Sequence, residues 1–160
     1  MKNLNGYCEG VSISGFNYQS NCKCESGYYL SAILHGANMA FKKEALTNIR
    51  LGDLFKNSRS GFYFEEVLAY HSISQGFDTF NICNKDIAPI VFHLEHQDSI
   101  TRKKGWKNEF WIHYDRVKQF YRLRKTGADV SWVAYVIASI ISLRKHTLPR
   151  FLATVYAQLF

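Results

Sequence analysis

One apolar run in the last quarter of the chain limits what the protein can fold into. Residues 130–143 read VSWVAYVIASIISL, and the cations Arg144 and Lys145 follow directly. A membrane-spanning helix needs about 20 apolar residues, so this run is too short to cross a bilayer. We expect a helix here, and two interpretations remain open. The helix packs on the rest of the protein, or it lies along a membrane surface with its cations at headgroup level.

The composition is that of a folded, basic protein. A chain of 160 residues is long enough for one domain with its own core, and 47% of the residues are hydrophobic and 16% aromatic. The formal net charge of +7 favours anionic partners such as phosphate-bearing ligands or lipid headgroups. The first residues are polar and lead into no apolar segment of a secretory signal. We therefore expect a cytoplasmic protein, peripheral to the inner membrane face if the apolar run binds lipid.

The spacing of the cysteines gives little evidence for a disulfide or a zinc site. Cys22 and Cys24 are separated by one residue, which is too close for an easy mutual disulfide, and no second pair has the spacing of a zinc site. We expect reduced thiols, as in most cytosolic proteins. This expectation covers all four cysteines of the chain, Cys8, Cys22, Cys24 and Cys83.

Glycines and hydrophobic periodicity divide the remaining chain into short elements. Alternating residues between closely spaced glycines predict short strands over residues 7–34. A helix over 64–75 is predicted to end at Gly76, and a long helix over 99–125 is predicted to end before Gly127. The other predicted elements are a strand at 37–41, a short helix at 42–49, a polar loop at 50–61, strands at 78–83 and 87–92, and a further apolar segment at 147–160.

Two adjacent carboxylates, Glu65 and Glu66, have mostly apolar neighbours in the sequence. The surrounding residues 61–71 read GFYFEEVLAYH, and one helical turn later the chain has Ala69 and Tyr70 instead of cations. Burial beside aromatic rings and the repulsion between neighbouring carboxylates both raise carboxyl pKa values. The pair is therefore either an acid/base site or a pair of first-turn acids favoured by the helix dipole.

Three segments resemble the C-terminal half of the family 2 glycosyltransferases, which have the GT-A fold. Residues 35–46 read HGANMAFKKEAL, residues 62–77 read FYFEEVLAYHSISQGF, and residues 89–102 read PIVFHLEHQDSITR. Their order and spacing resemble the family's sugar-site segment, its acidic motif at a helix start and its later histidine segment. The resemblance covers roughly residues 28–125 and implies an α/β fold, an incomplete GT-A unit with few strands packed by helices. It places the acceptor-side part of that unit at 1–127 and a helical tail at 128–160.

The resemblance also implies roles for individual residues. An inverting glycosyl transfer needs a general base for the acceptor hydroxyl; Glu66 is at that position, where the family usually has aspartate, and Glu65 would orient it or contact the acceptor. His93 and His96 would complete the shell of a divalent metal, Mg²⁺ or Mn²⁺, on the nucleotide diphosphate. Contacts to the nucleotide-sugar donor and to a glycan or lipid-linked acceptor would come from His35, Gly36, Asn38 and Arg102.

The chain lacks the motifs of the family's nucleotide-binding half. No Asp-x-Asp occurs in it, and residues 1–27 do not resemble that half. We therefore expect a fragment of a longer enzyme, or a half that works with another polypeptide. The alternative function is a non-catalytic module that binds a membrane or a protein partner. Nucleic acid is not an expected partner, because no known nucleic-acid motif accompanies the basic and aromatic residues of 114–125.

Overall fold

A computed structural model provides the structure, which describes residues 6–24, 26–34, 39–54, 56–59, 63–84, 86, 105–141 and 147–159. The strands are β1 (Glu9–Val11), β2 (Asn17–Gln19), β3 (Tyr28–Leu30) and β4 (Phe80–Ile82). A 3-10 helix covers Lys43–Leu46. The α-helices are α1 (Leu51–Leu54), α2 (Glu65–Ser74), α3 (Trp106–Lys125), α4 (Trp132–Ile141) and α5 (Thr147–Leu159).

The four strands form two small antiparallel ladders that meet side by side. β1 pairs with β2, with Gly10 opposite Tyr18, and β3 pairs with β4, with Tyr29 opposite Asn81. A parallel bridge between Glu9 and Ser31 joins the two ladders. The strand order is therefore β2-β1-β3-β4, with β1 and β3 as the two inner strands.

The turn between β1 and β2 brings the hairpin against the helices. Gly15 has a φ of 74° and its N–H donates to the carbonyl of Ser12 at 2.8 Å. A type I turn followed by a left-handed glycine is a common three-residue hairpin connection. The ring of Phe120 in α3 lies directly over this glycine, because a Cβ added at Gly15 would be 2.9 Å from Phe120 Cδ2.

The hydrophobic core is built around α3. Its side chains Val117, Phe120 and Leu123 are almost completely buried. Phe120 contacts the rings of Trp132 and Tyr135 in α4, at centroid distances of 5.4 and 5.2 Å. The other core side chains come from the hairpin, α2 and α5, and include Val11, Val67, Tyr70, Ile73, Ala153 and Ala157.

α5 packs closely along α3. The two small residues Ala153 and Ala157 are buried, which lets the helices approach each other. Polar contacts then fix the pair, because Lys118 Nζ donates to the carbonyl of Ala157 at 3.1 Å and the Tyr121 hydroxyl donates to Gln158 Oε1 at 2.6 Å. The predicted apolar segment at 147–160 is therefore a helix that buries its small residues.

A disulfide corrects the expectation of four reduced thiols. Cys24 and Cys83 are joined, with their Cα atoms 6.0 Å apart, and Cys8 and Cys22 are free. The sequence concealed this pairing because 59 positions separate the two cysteines. The β3–β4 ladder brings them together: the N–H groups of Cys83 and Asn84 both donate to the carbonyl of Gly27.

Several other predictions can be compared with the structure. The helix predicted over 64–75 is confirmed as α2, and Gly76 follows it with a φ of 91°. The strand predicted at 37–41 is wrong in its described part, since residues 39–41 are not in a strand, and the loop predicted at 50–61 contains the short helix α1. The strand at 87–92 and the helical start at 99–104 lie outside the described residues.

The structure thus combines helices with small antiparallel sheets, which agrees with the broad prediction that the chain contains both. The apolar run at 130–143 contains α4, as predicted. Among the helices that the structure describes, none has both the length and the apolar character needed to cross a membrane.

A glycine comparison tests the contact between the hairpin turn and α3. Gly15→Ala places a side chain at a left-handed φ, which costs about 1–2 kcal/mol, and forces it against the buried Phe120 ring, which costs a further 1–3 kcal/mol or so. Gly76→Ala is the matched control, because Gly76 also has a positive φ but has nothing within 4 Å of an added Cβ. We expect urea unfolding to show a larger loss for Gly15→Ala. Equal losses would contradict the packing of Phe120 on the turn.

Candidate active site at the start of helix α2

The candidate site lies where α2 begins, between the β1–β2 hairpin and α3. Glu65 and Glu66 form the first turn of the helix, and the preceding residue, Phe64, provides no side-chain cap. Carboxylates in a first turn interact favourably with the positive end of the helix dipole. The acid pair found in the sequence is therefore at a helix start, as predicted, and its two members have different surroundings.

Glu66 is held by the hairpin and is nearly inaccessible. Its side chain is 5% exposed. Oε1 accepts a hydrogen bond from Asn17 Nδ2 of β2 at 2.8 Å, while Oε2 is buried and has no hydrogen-bond partner among the residues that the structure describes. A buried carboxylate oxygen without a donor is costly, so a donor group that reached Oε2 would be stabilised there.

Glu65 is partly buried beside it. Burial, and after it the neighbouring charge of Glu66, raises the pKa of the Glu65 carboxyl above its ordinary value, although backbone N–H groups at residues 64 and 65 oppose the shift. A carboxyl with a raised pKa favours the folded state when it is protonated. That stabilisation is complete below the unfolded-state pKa and is lost as the pH rises through the folded-state pKa.

A second buried carboxylate shows how unusual the environment of Glu66 is. Glu9 in β1 is also 5% exposed. Its Oε1 accepts from Gln19 Nε2 at 2.8 Å and from the Tyr29 hydroxyl at 3.4 Å, and its Oε2 accepts from Ser31 Oγ and Asn81 Nδ2, both at 2.7 Å. Both oxygens of Glu9 are thus satisfied by strand residues, which is typical of a structural carboxylate.

The hydroxyl of Tyr70 fastens α2 to the hairpin one turn beyond Glu66. It accepts from the N–H of Val11 at 2.9 Å and lies 3.3 Å from the carbonyl of the same residue. Burial raises the pKa of Tyr70 to about 12, and the charges of Tyr18 and Glu66 add to the shift. Tyr70 therefore remains a neutral phenol and keeps β1 and the first turn of α2 at a fixed separation.

Arg116 of α3 places its guanidinium against two aromatic rings next to this site. Its guanidinium carbon lies 4.6 Å from the ring centroid of Phe16 and 4.9 Å from that of Tyr63. These two rings immediately precede Asn17 and the α2 start, and such contacts hold a cation by the charge distribution of the ring faces. Arg116 Nε is buried and has no hydrogen-bond partner within the described part of the chain.

The structure reports on two of the residues that the sequence predicted for the site. Glu65 and Glu66 lie together at the start of α2. The remaining candidates lie outside the described residues, and these are His35, Gly36, Asn38, His93, His96 and Arg102. Within the described part of the chain, no group of three or more His, Cys, Asp or Glu side chains could hold a metal ion.

Sequence reasoning missed Asn17, Phe16 and Arg116. Asn17 lies 49 positions before Glu66, and a single polar residue in a short strand carries no local signal of a long-range partner. Arg116 was grouped with the basic residues of a long helix, whereas its guanidinium packs between two rings. Only the three-dimensional contact identifies these residues.

Comparisons with known proteins identify no relative: no family model, curated protein or solved structure matches this chain. The chemistry of the site must therefore be argued from its own geometry. A carboxylate that has an amide donor on one oxygen and no donor on the other can accept a proton from a hydroxyl group bound next to it, and its amide partner keeps it oriented.

Proposed function

We propose that this chain contributes the acceptor side of an inverting glycosyltransferase similar to family 2, with Glu66 as the general base. The observation that supports the proposal is that Oε2 of Glu66, a buried carboxylate oxygen at the start of α2, has no hydrogen-bond donor among the described residues. The second support is the resemblance of residues 35–46, 62–77 and 89–102 to segments of the family 2 glycosyltransferases. The proposal includes the finer fold assignment, an incomplete GT-A unit.

The proposed reaction transfers a sugar from a nucleotide-sugar donor to an acceptor hydroxyl of a glycan or lipid-linked sugar. The acceptor hydroxyl gives its proton to Glu66 Oε2 while its oxygen attacks the anomeric carbon from the face opposite the leaving group. The bond to the nucleoside diphosphate breaks and the leaving group keeps the electron pair. Asn17 holds Oε1 of Glu66, so that Oε2 keeps its direction during the proton transfer.

Glu65 has a supporting role in this proposal. Its raised pKa and its greater exposure suit a side chain that hydrogen-bonds an acceptor hydroxyl. The donor would be bound by residues outside the described part of the chain, and a nucleotide-binding half on the same or another polypeptide would complete the site. The proposed Mg²⁺ or Mn²⁺ site at His93 and His96 lies outside the described residues, and the proton transfer to Glu66 is argued without it.

Glu66→Gln tests the base directly, because it keeps the shape of the side chain and removes its basicity. In sugar transfer assays with the chain and a family 2 nucleotide-binding half, we expect kcat to fall by about 10²- to 10⁴-fold. The donor KM should change little, since the acceptor proton moves only in the transition state. Glu65→Gln should cost less, and Asp53→Asn, an exposed position of α1 outside the three segments of the resemblance, should have no effect. A mild effect of Glu66→Gln would exclude it as the base.

A second candidate function is binding to an anionic membrane surface through the tail helices. α4 exposes four large apolar side chains at helical spacing: Val133 (67%), Ile137 (53%), Ile140 (59%) and Ile141 (71%). α5 exposes Leu148, Phe151 and Val155 in the same way. The tail thus buries Tyr135, Ala153 and Ala157 on the protein and leaves a separate apolar stripe exposed on each helix.

The charges of the tail favour a lipid surface for these stripes. Residues 130–160 contain three Lys or Arg residues and no Asp or Glu. Anionic headgroups attract such cations near the surface, and short amphipathic helices insert their apolar side at the boundary between headgroups and acyl chains. This proposal agrees with the peripheral membrane location that the sequence suggested.

Vesicle flotation tests the membrane proposal. The full chain should float with vesicles that contain phosphatidylserine and bind neutral vesicles less. Replacing Ile137 and Ile141 by serine should lower binding at least about tenfold, because a buried isoleucine side chain contributes about 1.5–3 kcal/mol. Leu51→Ser is the matched control, since Leu51 is 45% exposed in α1, outside the tail. Equal losses for both variants, or no flotation of the wild type, would contradict the proposal.

A further inference from the structure

Cys8 and Cys22 lie on the same side of the β1–β2 hairpin. Ser20 is opposite Cys8, because its N–H donates to the Cys8 carbonyl at 2.9 Å and its hydroxyl donates to the same carbonyl at 2.8 Å. Side chains two residues apart in an extended segment point to the same face. Cys22 therefore follows Ser20 on the face that Cys8 occupies, in a diagonal position relative to it.

The two thiols lie close to each other. The Cys22 thiol donates to the carbonyl of Ser20 at 3.3 Å, and Ser20 is the residue paired with Cys8. Both cysteines are free and half-buried. Burial, and after it the neighbouring Cys8 thiol, raises the pKa of Cys22 to about 11, so the Cys22 thiol keeps its proton at neutral pH and must lose it before it can act as a nucleophile.

The existing disulfide helps to hold the two thiols together. Cys24 is bonded to Cys83 of the β3–β4 ladder, and Cys22 is only two residues away from this fixed point. β1 is itself joined to β3 at the Glu9–Ser31 bridge. Cys22 is thus confined on one side by the disulfide and on the other by its hydrogen bond to Ser20.

We propose that Cys8 and Cys22 are a thiol oxidation site that forms a second intramolecular disulfide on reaction with a low-molecular-weight disulfide such as oxidised glutathione. The thiolate of one cysteine attacks a sulfur of the reagent, forms a mixed disulfide and releases one glutathione thiolate. The other cysteine, after losing its proton, attacks the protein sulfur of the mixed disulfide and releases the second glutathione. The cysteine pair loses two electrons and two protons, and the reagent is reduced to two thiols.

The product would pair all four cysteines of the chain, as Cys8–Cys22 and Cys24–Cys83. The new bond would link the start of β1 covalently to the segment after β2. Cys22 is separated only by Lys23 from Cys24, whose disulfide leads to the β3–β4 ladder. The four short strands would then be joined by two covalent links where a single bridge and a few backbone hydrogen bonds now connect the ladders.

The test is to treat the folded full chain with oxidised glutathione, block free thiols, and analyse intact mass and peptic peptides without reduction. The wild type should lose both free thiols, retain no glutathione and yield a peptide pair linked through Cys8 and Cys22. Cys8→Ser and Cys22→Ser should each retain one glutathione on the remaining cysteine, because no second thiol is in place to release it.

Other outcomes would overturn the proposal. Glutathione that persists on either cysteine of the wild type would show that the second thiol cannot reach the first. Two free thiols in the wild type, at a glutathione concentration that modifies the single-cysteine variants, would have the same meaning. Peptides that link Cys22 to Cys83 or Cys8 to Cys24 would show exchange with the existing disulfide in place of the proposed bond.

Discussion

The rest of the structure depends on the burial of one face of α3. The strands are only three residues long and could not form a stable sheet by themselves. Phe120 packs against the hairpin turn at Gly15 and against the aromatic residues of α4. Ala153 and Ala157 of α5 cover the neighbouring face of α3. The hydrophobic effect therefore acts mainly through a single helix, and the small ladders are held in place by what they pack against.

This arrangement accounts for the geometry at the start of α2. The hairpin is fixed to α3 through its turn and to α2 through the Tyr70 hydroxyl, so Asn17 of β2 is placed against Glu66. Two of the buried carboxylates, Glu9 and Glu66, then differ in their hydrogen bonds. Glu9 has donors on both oxygens and stabilises the strand junction, whereas Glu66 has a donor on one oxygen only among the described residues. The proposal that Glu66 is a general base rests on this difference.

The elements that the sequence predicted well are those with strong local signals. α2 has a first turn rich in carboxylates and a glycine at its end, and α5 was recognised as an apolar segment. The disulfide, the Asn17–Glu66 contact and the four hydrogen bonds of Glu9 could not be predicted, because each joins residues that are brought together only by tertiary packing. Exposed apolar stripes on α4 were also hidden, since a sequence does not reveal which side of an apolar helix the protein covers.

The account of the site rests on the claim that the two neighbouring carboxylates have different environments. Nuclear magnetic resonance of the side-chain carboxyl carbons, followed over pH in the wild type and in Asn17→Ala, tests it most directly. We expect Glu65 to titrate above the ordinary glutamate pKa of about 4.3 in both proteins, and the Glu66 resonance to move when its amide partner is removed. An ordinary pKa for Glu65, together with a Glu66 resonance that does not respond to Asn17→Ala, would contradict the account.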